Sequence, residues 1–432
     1  MPIQFPISRS TLSVVDLFAG CGGLSLGLEG AGFNPVFVNE LNADALKTYT
    51  TNRLRSNPHL SEAGFHINDV KQMVQDKKFL PALSKRLFET FRIGKGELDL
   101  LVGGPPCQGF SGIGHRRSYS VDKEQLPSNH LFEDMAYVIH RLQPRAFVFE
   151  NVRGLLNAKW TSAGAKGEIF KDVLATLSSI RGYRVAWRLV YAKDYGVPQN
   201  RPRVLVVGIR NDVKVSREDN TAADAVARGF LPAPISERPP SIKQLLGDLV
   251  DPSYVPGLRE TVKYSAAATC AVQKMLRTSE DGSRVAAKGD LLTEHEYSNH
   301  APRVVAKFRA MIADPNHEIP EEFRTKKFAQ RVLPAEWGPE GPKITATSLP
   351  DDYVHFLQPR SLTVREWARL QMFPDWYQFS GKRTTGGIRR AGNPREGIFD
   401  REVPKYTQIG NAVPVKLAYE VGKHLAKILG KP

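Results

Sequence analysis

The chain has 432 residues, of which 41% are hydrophobic and 24% are charged, and its formal net charge is +15. This composition is typical of globular proteins with a large core and excludes a chain that is disordered throughout. The sequence has no apolar run near the roughly 20 residues of a membrane span, and its first residues lack the apolar core of a signal peptide. We therefore expect a soluble, intracellular protein of two or three domains. The positive charge favours a nucleic-acid partner, although a basic surface kept for solubility remains an alternative.

Short apolar runs alternate with amphipathic stretches in the first half of the chain. The predicted strands are the runs at 12–18, 35–39, 98–102, 146–149 and 203–209. The predicted helices lie near 22–31, 42–54, 131–142 and 168–181. This alternation predicts an α/β fold with a doubly wound, mostly parallel sheet. Ligands bind such sheets at the carboxyl ends of the strands, so the residues that follow strands are the first candidates for a site.

The alternation is lost after residue 209. Residues 211–357 are polar and rich in proline and glycine, and they show no clear period. Apolar residues return at helical spacing over 358–374, a basic and glycine-rich stretch follows from 380, and a short amphipathic helix is predicted near 414–429. The second half therefore predicts a smaller and more irregular domain.

The first strand runs into a glycine turn, Asp-Leu-Phe-Ala-Gly-Cys-Gly-Gly at 16–23. The turn has neither the full GxGxxG pattern nor a following Gly-Lys-Ser/Thr, which disfavours a phosphate cradle. Glu40 ends the second strand, where an acid can bind ribose hydroxyls, and Asp69 could accept a hydrogen bond from an adenine amino group. The pattern predicts a nucleoside site of the kind that S-adenosylmethionine needs. A dinucleotide site or a structural turn remains open.

A single cysteine, Cys107, follows the third long apolar run in the sequence Gly-Gly-Pro-Pro-Cys-Gln at 103–108. The two prolines stiffen the approach to the thiol, and a position in a Pro/Gly-rich loop at the carboxyl end of a strand favours a nucleophile. A buried apolar residue, the commoner role of a lone cysteine, is the alternative. Cys21 and Cys270 lie far from it, and no Cys-x-x-Cys or Cys/His cluster predicts a metal or a disulfide framework.

Charged residues also end or flank the next strands. Glu150 ends one strand, where burial would raise its pKa and let it carry a proton. Arg201 and Arg203 precede another strand and could bind a carbonyl oxygen or a phosphate. A helix N-terminal acid and two surface arginines are the alternatives.

These motifs, in this order, resemble the DNA cytosine-5 methyltransferases of bacterial and phage type. The resemblance rests on Pro-Pro-Cys-Gln at 105–108, Glu-Asn-Val at 150–152, Gln-x-Arg-x-Arg at 199–203, Arg-x-x-Thr-x-Arg-Glu at 360–366 and Gln-Ile-Gly-Asn-Ala-Val-Pro at 408–414. It implies the fold of the S-adenosylmethionine-dependent methyltransferases, with a catalytic domain at 1–210, a target-recognition domain at 211–404 and a returning C-terminal segment at 405–432.

The resemblance also implies roles for individual residues. Cys107 would attack carbon 6 of a flipped-out cytosine, Glu150 would protonate nitrogen 3, and Arg203, supported by Arg201, would contact the base oxygen. The implied residues of the S-adenosylmethionine site are Asp16, Phe18, Ala19, Gly20, Cys21, Gly22, Gly23, Leu24, Glu40, Leu41, Asp69, Val70, Pro105, Asn411, Ala412 and Val413. No metal is implied.

Duplex DNA is the implied partner, bound by a protein expected to be a monomer in the bacterial cytoplasm. A separately encoded restriction endonuclease would complete the system. The expected DNA contacts are Gln108, Ser111, Arg116, Arg117, Lys382, Arg383, Arg389 and Arg390. Residues 111–130 match the family's closing loop, and 211–357 match its sequence-reading region. Arg365 and Glu366 are expected to brace the small domain rather than to contact bases.

The sequence disfavours three other functions. An RNA cytosine methyltransferase of the tRNA-modifying branch would carry a Cys-Phe-Thr tripeptide, which this sequence lacks. A catalytically silent DNA-binding homologue would show damage to the cysteine, glutamate or arginine motifs, and all are intact. An adenine methyltransferase would carry an Asp/Asn-Pro-Pro-Tyr/Phe run, which is absent.

Overall fold

The computed structural model describes residues 12–106, 130–216, 218–324, 330–347, 350–385 and 402–430. Several predicted site residues lie outside these ranges: Cys107, Gln108, Ser111, Arg116, Arg117, Arg389 and Arg390.

A seven-stranded sheet forms the centre of the first half. Its strands are β1 (Leu12–Leu17), β2 (Phe33–Asn39), β3 (His66–Ile67), β4 (Leu100–Gly103), β5 (Ala146–Val152), β6 (Tyr183–Tyr191) and β7 (Pro202–Arg210). The strand order is β3-β2-β1-β4-β5-β7-β6, and only β7 runs antiparallel to its neighbours. The expected mostly parallel sheet is confirmed.

Two strands of this sheet have no counterpart in the sequence prediction. The pair His66–Ile67 is too short to show a period, and β6 has only two buried positions among its nine residues. β6 forms an edge of the sheet and carries Arg184 and Arg188, so its sequence lacks the continuous apolar run of a central strand.

Helices cover both faces of the sheet, as expected for a doubly wound fold. The first-half helices are α1 (Gly23–Gly30), α2 (Ala43–Thr51), α3 (Val70–Gln75), α4 (Phe79–Phe91), α5 (Leu131–Leu142) and α6 (Glu168–Ser178). Apolar side chains of α3 to α6 share one buried cluster with Val15, Leu101 and Phe147. On the other face, Val14 and Val102 share a cluster with α1 and with the last helix of the chain.

The second half has more regular structure than the sequence predicts. Its elements are α7 (Ile242–Leu246), α8 (Ala271–Arg277), α9 (Pro302–Ala313), β8 (Arg331–Val332), β9 (Tyr353–Val354), α10 (Val364–Leu370), α11 (Lys405–Asn411) and α12 (Val415–Ile428). In α9 only Val305, Phe308 and Met311 are buried, which is too sparse a stripe to stand out in the sequence. The helical spacing over 358–374 yields a shorter helix, α10, which begins at the Thr363–Glu366 capping box.

The last helix returns to the first. α12 packs against α1 so closely that a Cβ atom on Gly27 would lie 2.3 Å from the Val415 carbonyl oxygen. The C-terminal segment is thereby brought beside the turn that follows β1. Among the described residues, no helix is long and apolar enough to cross a membrane.

Candidate functional site

The glycine turn and the cysteine loop leave the sheet side by side. β1 pairs with both β2 and β4, and the strand order reverses there, with Leu17 opposite Gly103. The crevice at such a reversal is the usual ligand site of an open α/β sheet. The structure therefore brings the two predicted motifs to one edge of the sheet, although 80 to 92 residues separate their members in sequence. The pairing of β1 with β4 decides this placement.

Three alternate residues of the glycine turn have the left-handed backbone conformation. Phe18, Gly20 and Gly22 have positive φ values of 56°, 56° and 85°, so the backbone turns sharply after β1. A Cβ atom on Gly20 would meet nothing within 4 Å, which leaves space at the tip of the turn. Phe18, Ala19, Gly20 and Leu24 are half-buried, whereas Gly22 and Gly23 are buried beneath them.

Glu40 holds the tip of this turn. Its Oε2 accepts a hydrogen bond of 2.8 Å from the Gly20 amide, and its Oε1 accepts one of 2.8 Å from the Asn42 amide. Burial raises the pKa of Glu40, and the two amides oppose that change. Leu41 beside it is 72% exposed, which is unusual for a leucine and leaves an apolar side chain free at the rim of the crevice.

Asn39 is a site residue that the sequence analysis missed. Its side chain accepts a hydrogen bond from the Phe18 amide (3.2 Å) and donates to the carbonyl oxygens of Ile67 (3.1 Å) and Asn68 (2.8 Å). This buried amide thus ties the glycine turn to the segment that carries Asp69. A polar residue that ends the apolar run Val-Phe-Val was the signal for it in the sequence.

Asp69 and Val70 lie where that third segment enters α3. Asp69 is the N-cap residue, and its Oδ1 accepts a hydrogen bond of 2.9 Å from the Lys71 amide. The Asp69 side chain is half-buried, while Val70 packs into the core. A structural role as a helix cap and a role toward a ligand are compatible, because a carboxylate has a second oxygen.

Asp16 is a buried acid near the end of β1. It is 1% exposed, and its Oδ2 accepts a hydrogen bond of 2.6 Å from the Ser25 hydroxyl. Burial raises the pKa of Asp16 to about 7. Its Oδ1 has no hydrogen-bond partner among the residues that the structure describes, which suits a ligand that brings a cationic or N–H donor group.

Glu150 and Arg203 form a buried ion pair at the neighbouring strands. Glu150 is opposite Leu205 in the β5–β7 ladder, so Arg203 lies two residues away on the same face. Arg203 Nε contacts Glu150 Oε1. Burial raises the pKa of Glu150, and the positive charges of Arg203 and Arg201 oppose that change. A carboxyl in this setting stays protonated to a higher pH than an exposed one and is still oriented by its partner.

The cysteine loop begins directly beside this pair. A Cβ atom on Gly104 would lie 2.8 Å from Glu150 Oε2. Asn151 Nδ2 donates a hydrogen bond of 3.0 Å to the Pro105 carbonyl oxygen, which fixes the first proline against β5. Pro105 is buried and Pro106 is exposed, so the chain emerges from the sheet one residue before Cys107.

Arg201 is placed differently from Arg203. Its guanidinium donates to the carbonyl oxygens of Ala346 (2.6 Å) and Gly410, which belong to the second half of the chain. Burial and the nearby Arg203 lower the pKa of Arg201. Through these contacts Arg201 helps to hold the returning C-terminal segment. Its charge also lowers the pKa of Glu150.

The returning segment packs against the glycine turn. A Cβ atom on Gly23 would lie 2.5 Å from the Val413 carbonyl oxygen and 3.2 Å from the Ala412 Cβ. Asn411 is exposed at the same place. Cys21 Sγ lies 3.4 Å from the Gln408 carbonyl oxygen, and burial raises its pKa to about 12. The Cys21 thiol is therefore a packing contact, and only its backbone can face a ligand.

The two described residues of the basic strip have partners within the protein. Lys382 Nζ lies 3.1 Å from Glu402 Oε1, and the lysine side chain is 65% exposed. Arg383 Nη1 donates to the carbonyl oxygens of Glu296 (3.3 Å) and Tyr297 (3.1 Å). Lys382 is thus available at the surface, whereas Arg383 is half-buried and holds a neighbouring loop.

The expected bracing role of Arg365 and Glu366 agrees with their positions, since both are 0% exposed. Glu366 accepts two hydrogen bonds from Arg360, of 2.8 and 2.7 Å, and also caps α10. Arg365 donates to the carbonyl oxygens of Pro374 and Tyr377. Neither side chain reaches the protein surface.

Comparisons with known proteins extend over almost the whole chain. A family model described as C-5 cytosine-specific DNA methylase matches residues 12–427. The Type II methyltransferase M.DdeI of Desulfomicrobium norvegicum is 30% identical over 429 residues, which cover 96% of this chain and 88% of that protein. The Type II methyltransferase M.XorII of Xanthomonas oryzae pv. oryzae is also 30% identical, with coverage of 96% and 85%.

A solved structure shares the fold. It is a candidate DNA modification methyltransferase encoded within a prophage (Escherichia coli), with a TM-score of 0.64 and 21% identity. The match covers 98% of this chain and 100% of that chain. The expected methyltransferase-type α/β fold is confirmed by this likeness together with the observed sheet order.

Proposed function

Because the chain belongs to the C-5 cytosine-specific DNA methylase family, we propose that it methylates a flipped-out cytosine of duplex DNA through a covalent Cys107 adduct, with S-adenosylmethionine as methyl donor. The observation that carries the proposal is the contact between the start of the cysteine loop and the buried Glu150–Arg203 pair. Gly104 lies against the Glu150 carboxyl, and Cys107 is three residues further along the chain.

The crevice fits the proposed methyl donor. S-adenosylmethionine supplies a transferable methyl group when it is bound. The open space at Gly20 leaves room for the donor. Asp16 offers a buried carboxylate oxygen that has no partner among the described residues, and the exposed Leu41 offers an apolar contact. Glu40 and Asp69 are the proposed contacts for the ribose and the adenine, and Asn411 to Val413 would close the site from the C-terminal side.

The chain's own groups account for activation of the base. Carbon 6 of cytosine is inaccessible inside the stack, so the base must leave the duplex before the thiolate of Cys107 can add to it. Addition of the thiolate to carbon 6 makes carbon 5 nucleophilic, and protonation of nitrogen 3 by Glu150 neutralises the negative charge that the addition places on the ring. Arg203 orients the carboxyl and can contact the base oxygen. After methylation, loss of the carbon 5 proton and elimination of Cys107 restore the aromatic ring.

The direct test replaces the nucleophile. We expect Cys107→Ala to abolish transfer of a labelled methyl group to duplex DNA while S-adenosylmethionine binding persists. Cys270→Ala is the matched control, because that thiol lies 3.4 Å from the Gln244 carbonyl oxygen, in the small domain. Duplex DNA containing 5-fluorocytosine should trap the wild-type chain covalently, since fluorine at carbon 5 cannot be lost as a proton is. Turnover by Cys107→Ala would contradict the proposed mechanism.

Duplex DNA is the proposed substrate, and the relatives named Type II methyltransferases make a separately encoded restriction endonuclease the proposed companion. Bisulfite sequencing of DNA from cells that express the chain should show methylated cytosines in one sequence context. Methylation in no consistent context would contradict sequence-specific recognition. A parallel assay on tRNA separates the DNA enzyme from an RNA enzyme.

The basic strip after α10 is the proposed phosphate contact outside the crevice. Replacement of Lys382, Arg383, Arg389 and Arg390 by alanine should flatten the salt dependence of DNA binding, because fewer counterions are released. An unchanged slope would leave the strip without this function. Analytical ultracentrifugation tests the further expectation of a monomer.

A further inference from the structure

Two buried side chains outside every motif hold the glycine turn from behind. The Tyr377 hydroxyl donates a hydrogen bond of 2.6 Å to the Cys21 carbonyl oxygen. Arg53 Nη2 donates one of 3.3 Å to the Gly22 carbonyl oxygen, and Arg53 Nη1 donates one of 3.2 Å to the Tyr377 hydroxyl. Both side chains are almost completely buried, at 1% exposure or less. The turn is thus gripped at two successive carbonyl groups.

Arg53 is charged and well fixed in this position. Its Nε donates a hydrogen bond of 2.8 Å to Glu29, Nη1 donates to the Tyr49 carbonyl oxygen, and the guanidinium lies 3.8 Å from the centre of the Tyr49 ring. The Glu29 carboxylate raises the pKa of Arg53 against the opposing effect of burial. A rigid, planar donor with five N–H groups is suited to binding several acceptors in one geometry.

The same group of side chains reaches Asp16. The Tyr49 hydroxyl donates a hydrogen bond of 2.7 Å to Ser25 Oγ, and the Ser25 hydroxyl donates to Asp16 Oδ2. The glycine turn and the acid at the end of β1 therefore have a common support. A displacement of the Arg53 side chain would therefore affect the positions of both the glycine turn and Asp16.

Tyr377 is itself held by the second half of the chain. Arg365 Nη2 donates a hydrogen bond of 2.9 Å to the Tyr377 carbonyl oxygen. A Cβ atom on Gly22 would lie 2.8 Å from the Tyr377 hydroxyl, so the tyrosine fits only against a glycine at that position. The segment after α10 thus supplies one side of the support for the turn after β1.

We propose that Tyr377 and Arg53 are positioning residues that preorganise the glycine turn for the methyl donor. This inference rests on the proposed function, because it concerns the affinity of the same crevice for S-adenosylmethionine. With both carbonyl groups bound behind the turn, its open side keeps one shape, and the methyl donor need not order it on binding. Both residues would act through the backbone of the turn.

The test removes one hydroxyl group. Tyr377→Phe keeps the ring and deletes the hydrogen bond to Cys21, so we expect the Kd and the KM for S-adenosylmethionine to rise by about 3–10-fold, the range of one buried hydrogen bond. The KM for DNA and the kcat at saturating donor should stay near the wild-type values. Arg53→Lys keeps a positive charge beside Glu29 but loses the forked geometry, and it should change the same two constants in the same direction.

Tyr195→Phe is the matched control. Tyr195 is 1% exposed and donates a hydrogen bond of 3.0 Å to a carbonyl oxygen, that of Pro232, away from the turn. Isothermal titration with S-adenosylmethionine should separate the two phenylalanine variants. Wild-type affinity in Tyr377→Phe, or an equal loss in Tyr195→Phe, would overturn the positioning role. Failure of the wild-type chain to bind the donor would instead overturn the proposed function.

Discussion

Replacement of Glu150 by glutamine tests the proposed proton transfer most directly. Glutamine keeps the shape of the side chain and an oxygen that can accept from Arg203, but it cannot donate a proton to nitrogen 3. Loss of a general acid lowers a rate by about 10²–10⁴-fold, so we expect the single-turnover rate of methyl transfer to fall in that range. S-adenosylmethionine affinity should change little, because Glu150 lies on β5, beside the cysteine loop.

The pH dependence gives a second readout of the same variant. Burial raises the pKa of Glu150, so the acid form persists to a higher pH than for an exposed glutamate and is lost as the pH rises through the raised pKa. The thiolate form of Cys107 becomes more abundant as the pH rises. The wild-type rate should therefore follow a bell-shaped profile, and Glu150→Gln should lose the descending limb.

Glu218→Gln is the matched control for the loss of a buried carboxylate. Its side chain is 8% exposed and contacts Arg184 and Arg228, away from the cysteine loop. The control should turn over at a rate close to wild type. A Glu150→Gln variant that turns over within about tenfold of wild type, below the range for a general acid, would refute proton donation by Glu150.

Two further predictions concern stability. Burial raises the pKa of Asp16 from 3.8 to about 7. As the pH rises from 3.8 to about 7, the free energy of unfolding of the wild-type protein should therefore fall by about 4 kcal/mol relative to that of Asp16→Asn. An equal dependence of the two unfolding free energies on pH would contradict the raised pKa. Glu366→Gln should lower the free energy of unfolding near neutral pH by about 3–5 kcal/mol, because it leaves the buried Arg360 charge without its carboxylate. Arg360 holds the pKa of Glu366 below its ordinary value, so this contribution disappears in acid as the carboxylate is protonated, and urea titrations at two pH values check both statements.

The sequence predicted the central strands well because they are buried on both sides. The run 146–149 is continuously apolar and 98–102 is interrupted only by Asp99, and each lies within or overlaps an observed strand. The edge strand β6 was missed because Arg184 and Arg188 interrupt its apolar residues and only two of its nine positions are buried. The helix α9 was missed for a related reason, because three buried residues in twelve leave the period hidden.

The sequence motifs identify candidate site residues, but they do not show which hydrogen bonds hold those residues in place. A residue's chemistry and its place after a strand can be read along the chain, which is why Asp16, Glu40 and Glu150 were predicted as site residues. Arg53 and Tyr377 gave no comparable signal, because the carbonyl groups that they bind in the glycine turn lie 31 and 356 residues away in sequence. Those partners meet only after the sheet has formed.

The sequence by itself determined the α/β alternation, the family motifs and the candidate acids and bases, since each depends on local pattern and residue type. Tertiary structure alone decided that Glu150 pairs with Arg203, that Arg201 binds the returning segment, and that the Cys21 thiol contacts the Gln408 carbonyl oxygen. The physical reason is burial. A carboxyl, guanidinium or thiol acquires its pKa and its hydrogen-bond partners from neighbours that distant segments supply when the chain folds.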